Sequence, residues 1–389
     1  MELVDLRAQY DSLKSRIDAR IRNVFEHARF IMGPEVAELE ERLAERVGVP
    51  YCVSCSSGSD ALQIALMALG IGYGDEVVTT PFTWMATAES IKLLGALPVF
   101  VDIDARTYNL DPRLLEAAIT PRTKAIIAVS LYGQCADMDA INEVAAAHRL
   151  PVIEDGAQSF GAKYKGRPSC GLSTMGCTSF FPSKPLGCYG DGGACFTRDQ
   201  ELARQMQRLR VHGQEPKNFS WRVGMNSRLD TLQAAVLLAK LEEFDAELAV
   251  RQRLAAAYNE QLREMVLIPY REPHNRCTYA MYVIQVENRA AFQEQLRAEG
   301  IPTNVHYPFP LHLQPAYADS RVKPGSFPHA EAAAERVVTL PLHPYLSGDQ
   351  QKQIVQAARQ AASVMQSDPF RTPLQSARNE RSDSWPCSG

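Results

Sequence analysis

Short apolar runs alternate with helical periodicity through the first half of the chain. The apolar runs predict strands at 51–55, 76–79, 98–102, 124–130, 151–154, 177–181 and 194–197. Stretches with helical spacing lie between them, at 60–69, 86–94, 112–118 and 138–148. Short buried strands separated by helices are typical of a mostly parallel sheet with helices on its faces. The pattern therefore predicts an α/β fold.

Helical patterns also precede and follow this alternation. The N-terminal pattern, residues 7–47, breaks at Met32-Gly33-Pro34, and residues 231–265 are predicted to form one long helix with Asp230 as its N-cap. The C-terminal pattern predicts a smaller α/β unit, with a strand at 279–286 and helices at 289–299 and 349–365.

These patterns divide the chain into three expected parts. Residues 1–249 would form the N-terminal helices and a large domain, and residues 250–366 would form a small C-terminal domain. Residues 367–389 are rich in Ser, Arg, Asp and Pro and have no apolar period, so we expect a disordered tail there.

Composition narrows the class of protein. The 389 residues are 46% hydrophobic and 22% charged, with a formal net charge of -4, which is ordinary for a globular enzyme and unlike a nucleic-acid or anionic-membrane binder. The N-terminal residues lack the pattern of a signal peptide, and no apolar run is long enough to span a bilayer. We interpret the nine cysteines as reduced thiols of a cytoplasmic protein. Cys52-x-x-Cys55 has no second pair to complete a zinc site, so we expect no metal.

The first segment with candidate chemistry is Ser56–Leu62, a turn of small residues between a predicted strand and a predicted helix. In open α/β sheets, ligands bind beyond the carboxyl ends of the strands. Free N–H groups at a helix start, together with a hydroxyl, can bind a phosphate. The alternative is that Ser59 is an ordinary N-cap.

Two further segments place a carboxylate and an amine at strand ends. An apolar strand runs into Asp155, with Gln158 three residues on. A buried carboxylate is the usual partner of the pyridinium nitrogen of pyridoxal phosphate, and Gln158 could bind the ring hydroxyl; alternatively, Asp155 caps the next turn. Lys184 follows another apolar strand and precedes the glycine-rich Gly190–Gly193. A lysine in such a pocket can condense with an aldehyde cofactor, although an exposed lysine is usually just a solvated charge.

The fourth segment, Gly224–Ala235, places Asn226 and Arg228 before a predicted helix. These two side chains could bind a phosphate, or they could simply cap and solvate the helix.

In this order, the four segments resemble those of the DegT/DnrJ/EryC1/StrS family of sugar aminotransferases, which are fold-type-I enzymes that use pyridoxal phosphate. The resemblance runs from about Asp5 to about Tyr345. It implies a large domain with a mixed, mostly parallel sheet flanked by helices, and a smaller C-terminal α/β domain. It also implies a homodimer with shared active sites.

The resemblance assigns a role to each matching position. Lys184 would be the catalytic residue, binding the cofactor covalently and moving protons. Asp155 would bind the pyridinium nitrogen of the cofactor, and Gln158 would bind its ring hydroxyl. The phosphate would be bound by Gly58, Ser59 and Ser179, and by Asn226 of the neighbouring subunit. Trp84 would stack on the face of the cofactor ring. Trp84 could instead be an aromatic residue of the core or rim.

Four more stretches resemble those of family members that act on UDP-2-acetamido-2-deoxy-3-oxo-D-glucuronate: residues 30–36, 131–137, 181–193 and 305–308. This implies amino transfer from L-glutamate to C3 of that sugar, for bacterial O-antigen and lipopolysaccharide synthesis. Arg228, His306 and Tyr307 would contact the nucleotide-sugar. Arg29 or Arg228 would bind the uronate carboxylate, because a carboxylate needs a cation or several donors.

Departures from the family pattern are small: Gly156 replaces a common alanine, and Pro185 replaces a common asparagine. Related sugar dehydratases carry histidine at the position of Lys184, so the lysine excludes dehydration. Two alternatives stay open. The substrate could be another UDP- or dTDP-linked keto sugar, or the protein could be a cofactor-binding regulator without catalysis.

Overall fold

A computed structural model describes residues 1–319 and 322–366. Within them, twelve strands lie in three sheets. The strands are β1 (Tyr51–Cys55), β2 (Glu76–Thr79), β3 (Leu97–Phe100), β4 (Thr123–Val129), β5 (Val152–Asp155), β6 (Lys163–Tyr164), β7 (Arg167–Pro168), β8 (Met175–Ser179), β9 (Gly193–Thr197), β10 (Asn275–Arg276), β11 (Tyr282–Gln285) and β12 (Val337–Leu340).

Eleven α-helices accompany these strands in the described ranges. They are α1 (Leu6–His27), α2 (Pro34–Val47), α3 (Gly58–Ala68), α4 (Ala86–Leu93), α5 (Met138–Ala147), α6 (Gln200–Leu209), α7 (Thr231–Leu241), α8 (Phe244–Leu262), α9 (Arg289–Ala298), α10 (Pro328–Arg336) and α11 (Gly348–Gln366). The predicted helix at 112–118 is instead two short 3-10 turns, Pro112–Leu114 and Glu116–Ala118.

The central sheet has seven strands in the order β1-β9-β8-β5-β4-β2-β3. The pairs β8–β5, β5–β4, β4–β2 and β2–β3 are parallel, and β9 runs antiparallel to both of its neighbours. Apart from the partly exposed edge strand β3, the strands are buried and carry β-branched and small apolar residues, as expected for a sheet with helices on both faces. The predicted mixed, mostly parallel α/β sheet is confirmed.

The C-terminal region, which we define as residues 250–319 and 322–366, has its own apolar core. The antiparallel pair β11–β12 packs there with α8, α9 and α11 around Tyr258, Tyr282 and Phe292. The small sheet β10-β6-β7 joins this region to the central one. The division at residue 249 stays a prediction, because α8 runs across it. The predicted tail at 367–389 lies outside the described residues.

The single long helix predicted at 231–265 is wrong. A turn at Glu242 and Glu243 interrupts the helix, and there Arg16 and Arg20 of α1 bind the two carboxylates. Before this break, α7 is buried on nearly all sides against the central core. After it, the start of α8 packs in that same core through Phe244 and Leu248, and the rest of α8, from Leu254, packs against the C-terminal core. Periodicity continues through the break, so the sequence pattern alone does not reveal it.

No helix in the described part of the chain is both long enough and apolar enough to cross a membrane.

Candidate active site

A cavity of about 350 Å³ opens at the carboxyl ends of β5 and β8, beside the first turn of α3. It gathers nine of the twelve residues that the sequence singled out: Gly58, Ser59, Trp84, Asp155, Gln158, Ser179, Lys184, His306 and Tyr307. We call the part formed by Gly58, Ser59, Asp155, Ser179 and Lys184 the sheet wall. The part formed by His306 and Tyr307 is the C-terminal wall.

Asp155 is the last residue of β5 and is buried at the base of the cavity. One carboxylate oxygen accepts the Thr87 hydroxyl at 2.8 Å, and the other accepts the backbone N–H of Ala157 at 3.2 Å. Burial raises the pKa of this carboxyl, while the two donors and the nearby Lys184 ammonium act in the opposite direction. The carboxylate is therefore held in one orientation, and its charge is directed into the cavity.

Lys184 lies on the turn after β8, where its backbone N–H donates to the Phe181 carbonyl at 2.8 Å. Its side-chain amine has no hydrogen-bond or ion-pair partner within residues 1–319 and 322–366. Burial lowers the pKa of this amine, and the charge of Asp155 partly offsets that effect. A desolvated amine with a lowered pKa is a better nucleophile and base at neutral pH than an exposed lysine.

At the end of the cavity beside α3, other groups can approach the backbone of the helix closely. Gly58 begins α3, and a Cβ at this position would lie 2.5 Å from the Cβ of Ser179. The N-cap is Ser57, whose hydroxyl accepts the Asp60 N–H at 3.0 Å, so the alternative of Ser59 as an ordinary N-cap is wrong. Ser59 is exposed in the first turn, facing the cavity. Helix N–H groups and two serine hydroxyls at one end of a cavity suit an anion.

Gln158 connects the two walls. Its side-chain oxygen accepts the backbone N–H of Tyr132 at 2.7 Å, and its amide nitrogen donates to the Tyr307 hydroxyl at 2.9 Å. The Tyr132 hydroxyl in turn donates to the backbone carbonyl of His306. The amide orientation of Gln158 is thus fixed by its partners, with one N–H left for another acceptor.

The C-terminal wall presents one imidazole and one phenol. His306 contacts the Thr339 hydroxyl through Nδ1 at 2.8 Å. Burial, with a smaller contribution from the charge of Lys184, lowers the pKa of His306 to about 4, so the ring is neutral at neutral pH. The Trp84 ring, half exposed at the mouth, lies 5.9 Å from the Tyr307 ring centroid. A flat ligand can therefore stack on these aromatic rings at the entrance of the cavity.

The remaining three predicted residues do not line the cavity. Arg29 and Asn226 are exposed elsewhere on the chain, and Arg228 has a buried Nε without a hydrogen-bond partner among the described residues. Their predicted contacts involve a sugar or a second subunit, so these assignments stay predictions.

Two residues of the site were missed from the sequence. Thr87 fixes Asp155 from the first turn of α4, and its own hydroxyl lies 3.2 Å from that of Thr83. Tyr132 lies in a stretch that the sequence singled out, but no role was assigned to it. Its contacts are to residues far away in the chain, so only the fold reveals them.

No group of three or more His, Cys, Asp or Glu side chains within the described ranges is arranged to hold a metal ion.

Comparison with known proteins adds the family. The profile of the DegT/DnrJ/EryC1/StrS aminotransferase family matches residues 11–359. The chain is 59% identical to the UDP-2-acetamido-2-deoxy-3-oxo-D-glucuronate aminotransferase of Pseudomonas aeruginosa, over 89% of this chain and 96% of that protein. It is 46% identical to a pleiotropic regulatory protein of Geobacillus stearothermophilus, over 91% and 96% respectively.

Solved structures agree in fold. An aminotransferase of this family from Brucella abortus superposes with a TM-score of 0.90 at 45% identity, covering 92% of this chain and 99% of that one. NtdA from Bacillus subtilis, solved with the bound cofactor PMP, superposes with a TM-score of 0.86 at 30% identity, covering 93% and 83%. The chain belongs to the DegT/DnrJ/EryC1/StrS aminotransferase family.

Proposed function

We propose that this protein is a pyridoxal-phosphate aminotransferase that moves the amino group of L-glutamate to C3 of UDP-2-acetamido-2-deoxy-3-oxo-D-glucuronate. The product is UDP-2-acetamido-3-amino-2,3-dideoxy-D-glucuronate. The observation that carries the proposal is that one cavity contains both the buried carboxylate of Asp155 and the amine of Lys184, which has no hydrogen-bond or ion-pair partner among the described residues. The choice of sugar is supported by the 59% identity to an enzyme of that specificity. Use of the product in surface polysaccharide and a cytoplasmic location remain predictions.

The cavity suits the proposed cofactor at each of its polar groups. Asp155 offers a fixed carboxylate for the pyridinium nitrogen, and Gln158 has an N–H free for the ring hydroxyl. Because Gly58 has no side chain, Ser179 packs directly against the first turn of α3, and this places the Ser59 and Ser179 hydroxyls beside the N–H groups that would bind the phosphate. The volume of about 350 Å³ lies within the usual range of small-molecule sites.

Bound there, pyridoxal phosphate would supply an electron sink for the carbon atom that loses its proton. The Lys184 amine, neutral more readily because of burial, would take the proton from the α-carbon of glutamate. In the second half-reaction, the same amine would deliver a proton to C3 of the sugar. Since one lysine serves both half-reactions, ping-pong kinetics follow.

The C-terminal wall would orient the sugar. A neutral His306 ring and the Tyr307 hydroxyl can exchange hydrogen bonds with sugar hydroxyls or an amide. Lys184 is the only cation among the cavity-lining residues in the described part of the chain, and it is needed for chemistry. We therefore propose that Arg29 or Arg228 of a second subunit binds the uronate carboxylate, and that Asn226 of that subunit reaches the cofactor phosphate in a homodimer.

The test is product analysis by mass spectrometry. Purified protein with pyridoxal phosphate and glutamate is offered the 3-oxo uronate, a UDP-4-keto sugar, and dTDP-linked 3- and 4-keto sugars. The expected result is an amino sugar mainly from the 3-oxo uronate. Preference for another keto sugar would replace the proposed substrate, and no amino sugar from any of them would remove the proposed activity.

A second candidate, a cofactor-binding regulator without catalysis, is favoured by the name of the Geobacillus relative. The presence of Lys184, Asp155 and Gln158 together in the cavity argues against it, because a regulator without catalysis has no need of the reactive amine. The two candidates differ in exchange of the glutamate α-proton with D₂O. We expect exchange in the wild-type protein, and its absence in protein that holds the cofactor would support the regulator.

A further inference from the structure

A second lysine lies behind the turn that carries Lys184. Lys240, in the last turn of α7, is only 2% exposed and does not line the cavity. Its amine donates a hydrogen bond to the backbone carbonyl of Gly187, three residues after Lys184. It also lies 4.8 Å from the centre of the Tyr189 ring. Burying a lysine side chain costs free energy, and contacts such as these offset part of that cost.

The same helix contacts this turn a second time. Gln233, two turns before Lys240 on α7, accepts the Tyr189 N–H at 2.9 Å and donates to the Tyr189 carbonyl at 3.3 Å. Residues seven apart lie on one face of a helix, so α7 binds the turn at two points along one side. Close packing also limits movement of the turn, because a Cβ at Gly187 would lie 2.6 Å from the carbonyl oxygens of Phe181 and Pro182.

We propose that Lys240 is a positioning residue for Lys184: its bond to Gly187 fixes the turn from which the reactive amine projects. The inference rests on the proposed function. Burial lowers the pKa of Lys240 to about 8, so at neutral pH the amine is mostly protonated and its bond is charge-assisted. Glu247 and Cys188 favour the protonated form, and Arg251 disfavours it.

Loss of the bond between Lys240 and Gly187 should slow the chemical steps without weakening substrate binding. Loss of the bond leaves the lining side chains unchanged, so binding of glutamate and of the sugar should be kept. The Lys184 amine would be less well aligned in both half-reactions, because both use it. A displacement of about 1 Å at a reacting group can cost a hundredfold in rate, so a tenfold fall in kcat is a moderate expectation.

The experiment compares Lys240→Met, which keeps length and removes the donor, with Lys240→Gln, which keeps a neutral donor. Lys165→Met is the matched control, since that amine binds Asp139 on the surface. We expect Lys240→Met to lower kcat about tenfold in both half-reactions, with each KM within about twofold of wild type. Visible circular dichroism of the bound cofactor should weaken, and Lys240→Gln should recover part of both signals. Melting temperatures should stay within about 4 °C.

The proposal is overturned if folded Lys240→Met has wild-type kcat and wild-type circular dichroism. It is also overturned if kcat falls only together with the melting temperature and Lys240→Gln recovers nothing. Should Lys240→Met not fold, Lys240→Gln decides: lower kcat at unchanged KM and melting temperature supports the proposal, and wild-type kcat overturns it. A wild-type protein that binds no cofactor and transfers no amino group would instead overturn the proposed function.

Discussion

The sheet wall and the C-terminal wall of the cavity are held by different kinds of contact. Asp155 and Ser179 end neighbouring parallel strands, so the register between β5 and β8 brings their side chains to one edge. His306 and Tyr307 lie outside any strand or helix and are held by side-chain hydrogen bonds from Tyr132 and Gln158. The position of the sheet wall therefore follows from strand pairing, whereas the position of the C-terminal wall depends on a few individual hydrogen bonds.

The largest expected effect comes from the amine of the sheet wall. Lys184→Ala should lower amino transfer by at least about 10³-fold, because it removes the proposed base of both half-reactions. Steady-state assays with the preferred keto sugar measure this. Lys165→Ala, which removes a surface amine, should keep wild-type rates. A Lys184→Ala enzyme within tenfold of wild type would place the chemistry elsewhere.

The next effect comes from the carboxylate of the same wall. Asp155→Asn keeps the shape but removes the charge that we propose faces the pyridinium nitrogen, and we expect kcat to fall about 100-fold, or about 2.7 kcal/mol. The control is Glu154→Gln. That buried carboxylate lies on the opposite face of β5, where Ser169 and Ser130 donate to it. If both variants lose the same amount, Asp155 has only a structural role.

A smaller effect is expected at the contact between the two walls. Tyr132→Phe removes one hydroxyl that donates to the His306 carbonyl, worth about 1 kcal/mol, so KM for the keto sugar should rise about fivefold. The rate of the glutamate half-reaction should change less than twofold. Tyr258→Phe is the control, because its buried hydroxyl also donates to a carbonyl, that of Pro341. Equal losses in both half-reactions would contradict a special role of the C-terminal wall in sugar binding.

The smallest effect concerns stability of the C-terminal wall in acid. The folded pKa of His306 is about 4, below the unfolded value of 6.5. The unfolded chain therefore takes up the proton first, so the contribution to stability is complete above pH 6.5 and is lost as pH falls towards 4. His306→Gln does not titrate, so its free energy of unfolding should fall by about 1 kcal/mol less between pH 7.5 and about pH 5.8.

Urea unfolding at the two pH values measures this difference. His148→Gln, which removes a histidine outside the cavity, should behave like wild type. An acid sensitivity of His306→Gln equal to that of wild type would show that the imidazole is not desolvated in the folded protein.

The sequence predicted the residues that line the cavity better than the contacts that hold them in place, and the reason is physical. Strands β1 and β2 were predicted to the residue, and Asp155 and Lys184 stand at or just after strand ends, where an apolar run stops locally. Thr87, by contrast, meets Asp155 across 68 positions of the chain, and Tyr132 meets His306 across 174. Periodicity carries no information about such contacts. The break between α7 and α8 was missed for the same reason, since arginines from α1 bind there.

The central claim is that Lys184 is the residue that binds the cofactor. The direct measurement is to incubate the wild-type protein with pyridoxal phosphate, reduce it with borohydride, and locate the modified lysine by peptide mass spectrometry. We expect the modification on Lys184 alone, and none on Lys240. A modification on another lysine, or no stable modification in protein that has bound the cofactor, would contradict the account.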